Sequence, residues 1–199
     1  MHLLKNAKLI LEDKSVFYGH SFGSENSVSG EVVFSTGMVG YPESLTDPSY
    51  KGQILCLTYP LIGNYGIPPD EKDIYGLHKN FESDEILIQG LIVSDYSFNY
   101  SHWIAKKRLA DWLKEHKIPG IFGIDTRELT KKLREKGTML GKIVINDEDV
   151  KFFDPNKVDV VREVSVKEPI IYDPINKTTT QLNNNSIKEK TNKNSTINQ

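Results

Sequence analysis

Residues 30–66 read GEVVFSTGMVGYPESLTDPSYKGQILCLTYPLIGNYG. Two apolar runs, residues 32–34 and 54–57, predict strands on either side of a long polar connection that contains several Gly and Pro residues. A second turn, residues 63–66, follows. Connections of this length inside a compact domain are uncommon unless they bind something. We therefore expect function to lie in this segment, although its residues alone do not say what is bound.

Apolar runs on both sides of this segment extend the pattern. They predict strands first, and then an alternation of helix, strand, helix and strand, which indicates a mixed-sheet α/β domain with helices mostly on one side. The segment 84–93 reads as one long strand with a bulge at Gly90. The further predicted strands cover residues 9–11, 16–18, 121–124 and 142–145, and a helix is predicted over residues 101–116.

A second helix is predicted after Asp125, which can cap it, with Glu128 three residues later completing a capping box. Leu129 and Leu133 supply the apolar face, and Gly137 suits the C′ position. The basic run at residues 131–134 (KKLR) is interpreted as a solvated helix face rather than a binding patch.

Composition limits the class of protein. The chain has 199 residues and a formal net charge of −2, so no global basic field would attract nucleic acid or an anionic membrane. We predict no nucleic-acid partner, no membrane span and no signal peptide. Cys56 is the single cysteine, which excludes an intramolecular disulfide and favours a reducing, cytoplasmic location.

No self-contained catalytic apparatus is evident. Cys56 lies within a predicted strand and is interpreted as a core residue, not as a nucleophile. The histidines show neither metal-ligand spacing nor a recognisable partnership with a carboxylate, so we predict no metal site. Paired acidic residues occur where turns or strand starts are predicted. The histidines are His2, His20, His78, His102 and His116.

The loop at residues 44–50 is the best candidate for recognition. Asp47-Pro48 starts a tight turn, because Pro presets φ and Asp can accept bonds from backbone amides beyond it. Ser49 is then displayed with its hydroxyl, which suits a small polar ligand or a partner's backbone. A simple Asx turn without a ligand remains the alternative.

In these same residues the chain resembles the N-terminal domain of the small (glutaminase) subunit of carbamoyl-phosphate synthetase. Beyond residues 30–66, further similar motifs follow in order over residues 7–166: GLIV at 90–93, SHW at 101–103, GIDTR at 123–127, LREKG at 133–137 and VDVVREVS at 158–165.

The resemblance implies a three-layer β/β/α swivelling domain with mixed sheets that packs on a glutaminase (class I amidotransferase) domain and on the synthetase. The whole enzyme makes carbamoyl phosphate from glutamine, bicarbonate and two ATP for pyrimidine or arginine synthesis. ATP and Mg²⁺ would bind in the synthetase region, and this chain would hold no cofactor. The serine of the Thr-Asp-Pro-Ser-Tyr motif helps to bind L-glutamine in that family, and it corresponds to Ser49.

The chain departs from the family at Lys14, where Gly is common, and at Pro42, where Gln is common. Its residues contain no Gly-x-Cys-x-Gly nucleophile turn and no His-x-Glu partner, so we expect the chain alone to be catalytically inactive. The prediction is a domain at residues 1–166 and a disordered Asn/Lys/Thr-rich linker or insertion at residues 167–199. The chain would be a fragment, or part of a larger fused protein.

Two alternatives stay open. A binding or scaffold module could retain the fold without a glutaminase partner. A small hydrolase that uses Cys56 would instead show thiol-sensitive activity in the isolated chain.

Overall fold

The computed structural model describes residues 4–172, in which seven strands form one sheet that closes on itself as a barrel in the order β1-β2-β6-β5-β4-β3-β7. β3–β4, β4–β5 and β5–β6 pair in parallel, and the other neighbours pair antiparallel. The strands are β1 (Asn6–Leu11), β2 (Val16–Gly23), β3 (Val28–Ser35), β4 (Gln53–Ile62), β5 (Gly90–Tyr96), β6 (Pro119–Phe122) and β7 (Met139–Ile145).

Four α-helices accompany the sheet: α1 (Tyr41–Thr46), α2 (Leu109–Glu115), α3 (Thr126–Lys136) and α4 (Val160–Val164). The predicted cap of α3 is confirmed, since the Asp125 side chain accepts a hydrogen bond from the Glu128 amide at 2.8 Å. The Gly137 amide donates to the Leu133 carbonyl at 2.9 Å, as expected at the end of the helix. Every helix within residues 4–172 is too short or too polar to cross a membrane.

The closed sheet has an apolar interior to which all seven strands contribute. Successive side chains of a strand point to opposite faces, so Ile54 and Cys56 of β4 face inward and Leu55 and Leu57 face outward. Leu129 and Leu133 of α3 join the interior cluster, whose strand residues include Leu9, Phe17, Val32, Ile92, Ile121 and Ile143.

A second apolar cluster covers the outer side of β4 and β5. Leu45 of α1 and Leu109 and Leu113 of α2 are fully buried in this cluster, where α2 lies against β2 and β6. The two walls of the closed sheet and this helical layer give the mixed α/β architecture that the sequence predicted.

Two predicted elements were wrong in extent. The strand predicted over 84–93 begins only at Gly90, and the irregularity lies in β4, where the register with β5 shifts between Leu57 and Leu61. Ile86 and Ile88 are buried without joining the sheet, which explains their apolar character.

The helix predicted over 101–116 is confined to Leu109–Glu115. The backbone before it pairs elsewhere, since Ile67 and Lys107 form an antiparallel bridge and the Lys106 amide donates to the Ile67 carbonyl at 2.8 Å. Of the predicted tail, residues 173–199 lie outside the described residues.

Lys14 occupies a position at which the family that the sequence resembles commonly has Gly. This residue has φ 70°, a left-handed conformation that favours glycine. The Lys14 amide still donates to the Leu11 carbonyl at 2.9 Å, so the β1–β2 turn is retained.

The long connection between β4 and β5 is fixed by a histidine that bridges two carboxylates. His78 Nδ1 lies 2.5 Å from Asp70 Oδ1, and His78 Nε2 lies 2.6 Å from Asp84 Oδ1. The His78 side chain is only 11% exposed. The prediction that no histidine has a carboxylate partner was wrong for His78, because its partners lie eight and six residues away in irregular backbone.

The two carboxylates raise the pKa of His78 above its ordinary value, with the Asp84 hydrogen bond as the largest cause, while burial acts in the opposite direction. The pKa of Asp84 is lowered by His78 and by Lys72. A raised histidine pKa stabilises the fold below the unfolded value of about 6.5, and this contribution is lost as the pH rises through the folded pKa. The lowered pKa of Asp84 also stabilises the fold, and this stabilisation is lost as the pH falls through that pKa.

The close packing at Gly141 inside the core can be tested. A Cβ at Gly141 would lie 2.4 Å from Val32 Cγ2 inside the closed sheet, so Gly141→Ala should lower the free energy of unfolding by about 1–3 kcal/mol. Urea denaturation measures this. Gly37→Ala is the control, because its nearest neighbours would lie at 3.5 Å, and it should cost much less. Equal losses in the two variants would contradict the packing argument.

The His78 bridge generates a second prediction. His78→Gln should lower the free energy of unfolding by roughly 1 kcal/mol near pH 5–6, a small effect because both carboxylates are solvent-exposed. The difference from the parent should shrink as the pH rises. Denaturation curves at several pH values test this, with His116→Gln as the control, since His116 makes no ion pair within residues 4–172. A loss that is independent of pH would refute the bridge's role.

Candidate functional site

Ser49 lies in a short turn between α1 and β4 whose conformation is fixed by hydrogen bonds. The Asp47 carboxylate accepts a hydrogen bond from the Ser49 amide at 2.8 Å, and the Tyr50 amide donates to the Asp47 carbonyl at 3.1 Å. The 3₁₀ turn Pro48–Tyr50 results. Ser49 is exposed, and its hydroxyl makes no hydrogen bond to any residue from 4 to 172. The turn therefore presents a hydroxyl that is available to a ligand.

Thr46 anchors the turn on its N-terminal side. This residue is 1% exposed, and its hydroxyl donates to the Pro42 carbonyl at 3.0 Å while accepting from the Glu82 amide at 3.0 Å. The Ser83 hydroxyl donates to the Thr46 carbonyl at 2.6 Å. Because a buried polar group that lost these partners would cost free energy, the end of α1 is held in one position.

Gly52 anchors the turn on its C-terminal side. It has φ +80°, and a Cβ there would lie 2.9 Å from Pro155 Cβ. Lys51 Nζ lies 3.9 Å from Glu163 Oε2 of α4. The segment that contains α4 therefore lies beside the Ser49 turn, although about a hundred residues separate them in the chain.

The other end of the long loop is joined to the second turn, residues 63–66. The Tyr65 hydroxyl accepts from the Gly40 amide at 2.9 Å and from the Tyr41 amide at 3.1 Å. The Tyr41 and Tyr65 rings stack with centroids 4.2 Å apart, and the Tyr41 hydroxyl donates to the Gly66 carbonyl at 2.6 Å. Burial raises the pKa of Tyr41, so this phenol stays protonated. The two glycine-rich turns of residues 30–66 form one structural unit.

Cys56 is a core residue, as predicted. Its side chain is fully buried in β4, and burial raises the pKa of its thiol to about 12. A thiol of this kind is not ionised near neutral pH and is out of reach of a substrate.

Metal-binding geometry is not formed within residues 4–172, where no group of three or more His, Cys, Asp or Glu residues could hold an ion. The ring nitrogens of His78 point in opposite directions, so Asp70 and Asp84 cannot converge on one point. The predicted recognition site is therefore limited to the surface turn that contains Asp47, Pro48 and Ser49.

Sequence reasoning identified Ser49 but missed its surroundings. Nothing in the pattern at residues 153–163 signals that this segment packs beside the turn. The Tyr41–Tyr65 pair could have been suspected from two tyrosines next to glycines that need positive φ, but their mutual contact is a tertiary feature.

Comparison with known proteins shows which family the sequence matches. The family profile "Carbamoyl-phosphate synthase small chain, CPSase domain" matches residues 9–143. The chain is 59% identical over 171 residues to "Multifunctional protein CAD" of Squalus acanthias, covering 84% of this chain and 8% of that protein. It is 50% identical over 197 residues to "Multifunctional protein ura1" of Schizosaccharomyces pombe (86% and 9%).

It is also 52% identical over 169 residues to human "Carbamoyl-phosphate synthase [ammonia], mitochondrial", covering 84% of this chain and 11% of that protein. The chain thus spans only about a tenth of the length of the relatives it matches. The profile match includes β3, the Ser49 turn and α3. On this evidence the chain belongs to the family of the carbamoyl-phosphate synthase small chain, CPSase domain.

Proposed function

We propose that the chain is the N-terminal domain of a glutamine-hydrolysing carbamoyl-phosphate synthase and that it has no catalytic activity of its own. In the whole protein, glutamine, bicarbonate, water and two ATP would give carbamoyl phosphate for pyrimidine or arginine synthesis. ATP and Mg²⁺ would bind in the synthetase region. The reducing compartment suggested by the single cysteine favours the cytoplasm, although several relatives, the human one among them, are named as mitochondrial.

The observation that carries this proposal is the exposed Ser49 hydroxyl on a turn anchored on both sides. Thr46 and Gly52 fix the backbone, and the Asp47 carboxylate is already engaged by the Ser49 amide. A preorganised hydroxyl loses little entropy when it binds a polar ligand. It would donate to, or accept from, the amide or carboxylate of glutamine held mainly by a glutaminase domain.

The position of α4 supports the docking part of the proposal. In this family the residues that follow lead toward the glutaminase domain, and α4 lies beside the Ser49 turn. The domain that follows would therefore start close to Ser49. The buried Cys56 supports the assignment of the nucleophile to another part of the protein.

A second candidate function is an enzyme that uses free ammonia, in which this domain only docks its neighbours. The observation that favours it is the 52% identity to a relative whose name carries the term "[ammonia]".

The Ser49 variant separates these functions. In the whole protein, Ser49→Ala should raise the KM for glutamine several-fold and leave ammonia-dependent synthesis unchanged, because a hydrogen bond to a neutral ligand contributes about 0.5–1.5 kcal/mol. Steady-state kinetics with each nitrogen donor measure this. Ser101→Ala is the control, since Ser101 is also exposed but follows β5.

Equal loss of activity with both donors would assign Ser49 to folding instead of ligand binding. A parent protein that makes carbamoyl phosphate from ammonia but never from glutamine would favour the second candidate.

A further inference from the structure

The edge of the sheet opposite Ser49 carries a basic groove, defined here by ten residues that line a cavity of about 570 Å³. Three cations on α3 dominate it: Arg127, Lys131 and Arg134. Hydroxyl groups from the ends of β3, β4 and β5 face them. The complete lining is Thr36, Thr58, Pro60, Ser94, Asp125, Thr126, Arg127, Thr130, Lys131 and Arg134.

The three cations lie on one face of α3, because their spacing of four and three residues brings side chains together on a helix. They extend over about 10 Å of helix length at 1.5 Å per residue. None of them forms an ion pair or a side-chain hydrogen bond with any residue between 4 and 172, and all three are exposed. The sequence analysis interpreted this run as a solvated face.

The other lysines of α3 behave differently. Lys132 and Lys136 both pair with Asp13, at 2.9 and 3.0 Å. The pKa of Asp13 is lowered most by its hydrogen bond to Ser15 and further by these two lysines. The lysines on the side of α3 that faces β1 and β2 are thus paired, whereas the cations of the groove have no acidic partner among residues 4–172. In the groove itself Asp125 is the single acidic residue, and one of its oxygens is engaged as the cap of α3.

A bulge in β4 contributes to the shape of this groove. Between the pairs Leu57↔Val93 and Leu61↔Asp95, β4 has three residues where β5 has only Ser94. This bulge brings Thr58 and Pro60 into the lining. Bulges of this kind are frequent beside functional sites. The groove also lies at the carboxyl ends of parallel strands, where α/β sheets usually bind their partners.

Exposed apolar side chains follow the same strand ends. Met38 and Val39, which come after β3, are 70% and 80% exposed, and Trp103, which comes after β5, is 87% exposed. Their loops are connected, since Tyr65 contacts both Gly40 and His102. Exposed apolar groups next to unpaired arginines are typical of protein–protein interfaces.

We propose that the basic groove receives a carboxylate-rich segment of the synthetase region, an inference that rests on the proposed function. An acidic segment offers several carboxylates along its length, so it can pair with three cations spread over about 10 Å of helix. The Ser49 turn and α4 lie at the amino ends of the parallel strands, toward the glutaminase domain. The basic groove lies at the opposite edge of the sheet, where it is available to the synthetase region.

Zero-length carbodiimide crosslinking of the whole protein tests this, because the reagent joins an amine to a carboxylate only at ion-pair distance. Lys131 should be joined to an Asp or Glu of the synthetase region. Lys131→Arg keeps the charge and should abolish that crosslink. R127E combined with R134E should reduce its yield by roughly tenfold or more, because like charges then face each other. High salt should lower it as well.

Lys106 is the matched control, since it is exposed, forms no ion pair with residues 4–172 and lies outside the groove, and it should not give the same product. If the chain crosslinks to the synthetase region only through other lysines, the groove is not the docking site but the proposed function stands. Lys131 joined only to this chain, to a second copy or to the glutaminase domain would also overturn the inference. If no lysine of the chain reaches the synthetase region, the docking function itself fails.

Discussion

The parallel pairing of β3 with β4 is the constraint on which the rest of this structure depends. Parallel neighbours cannot be joined by a hairpin, because the chain must return from the carboxyl end of one strand to the amino end of the next. Residues 36–52 make that return, with α1 packed on the outer face of the sheet through Leu45. The Ser49 turn is therefore placed at the amino edge, while the residues that leave β3 remain at the carboxyl edge. The long loop that dominates the sequence is a required crossover as well as a binding element.

The same constraint separates two surfaces that serve different purposes in our proposals. At the amino edge, hydrogen bonds of the buried Thr46 hydroxyl and the positive φ of Gly52 hold the exposed Ser49 hydroxyl beside α4. At the carboxyl edge, the bulge of β4 and the cations of α3 form an open groove next to exposed apolar side chains. A domain with two such faces can contact two neighbours at once, which is the arrangement expected of a docking domain in a larger enzyme.

Much of this fold could be predicted from the sequence, because its strongest signals are local. The cap at Asp125, the apolar positions Leu129 and Leu133 and the glycine at 137 identified α3 correctly. The apolar runs located all seven strands, with β5 predicted too long, and mid-strand placement identified Cys56 as a core residue. The errors at 84–93 and 101–116 have a common cause, because some of the apolar residues there are not part of a regular element. The Leu87 amide donates to the Leu45 carbonyl of α1, and the Lys106 amide donates to the Ile67 carbonyl. Periodicity reports burial, but it does not report where the amide hydrogen bonds go.

The sequence by itself determined which residues could act: Ser49 follows Asp-Pro and is displayed, whereas Cys56 is enclosed by aliphatic neighbours. It also determined the family, through an ordered series of motifs. Only the tertiary structure decided which of those residues meet. The partnership of His78 with two carboxylates, the position of α4 beside Ser49 and the grouping of the α3 cations with the strand ends all depend on contacts between distant parts of the chain. Local physics fixes conformation over a few residues, but the closure of the sheet sets the distances between its edges.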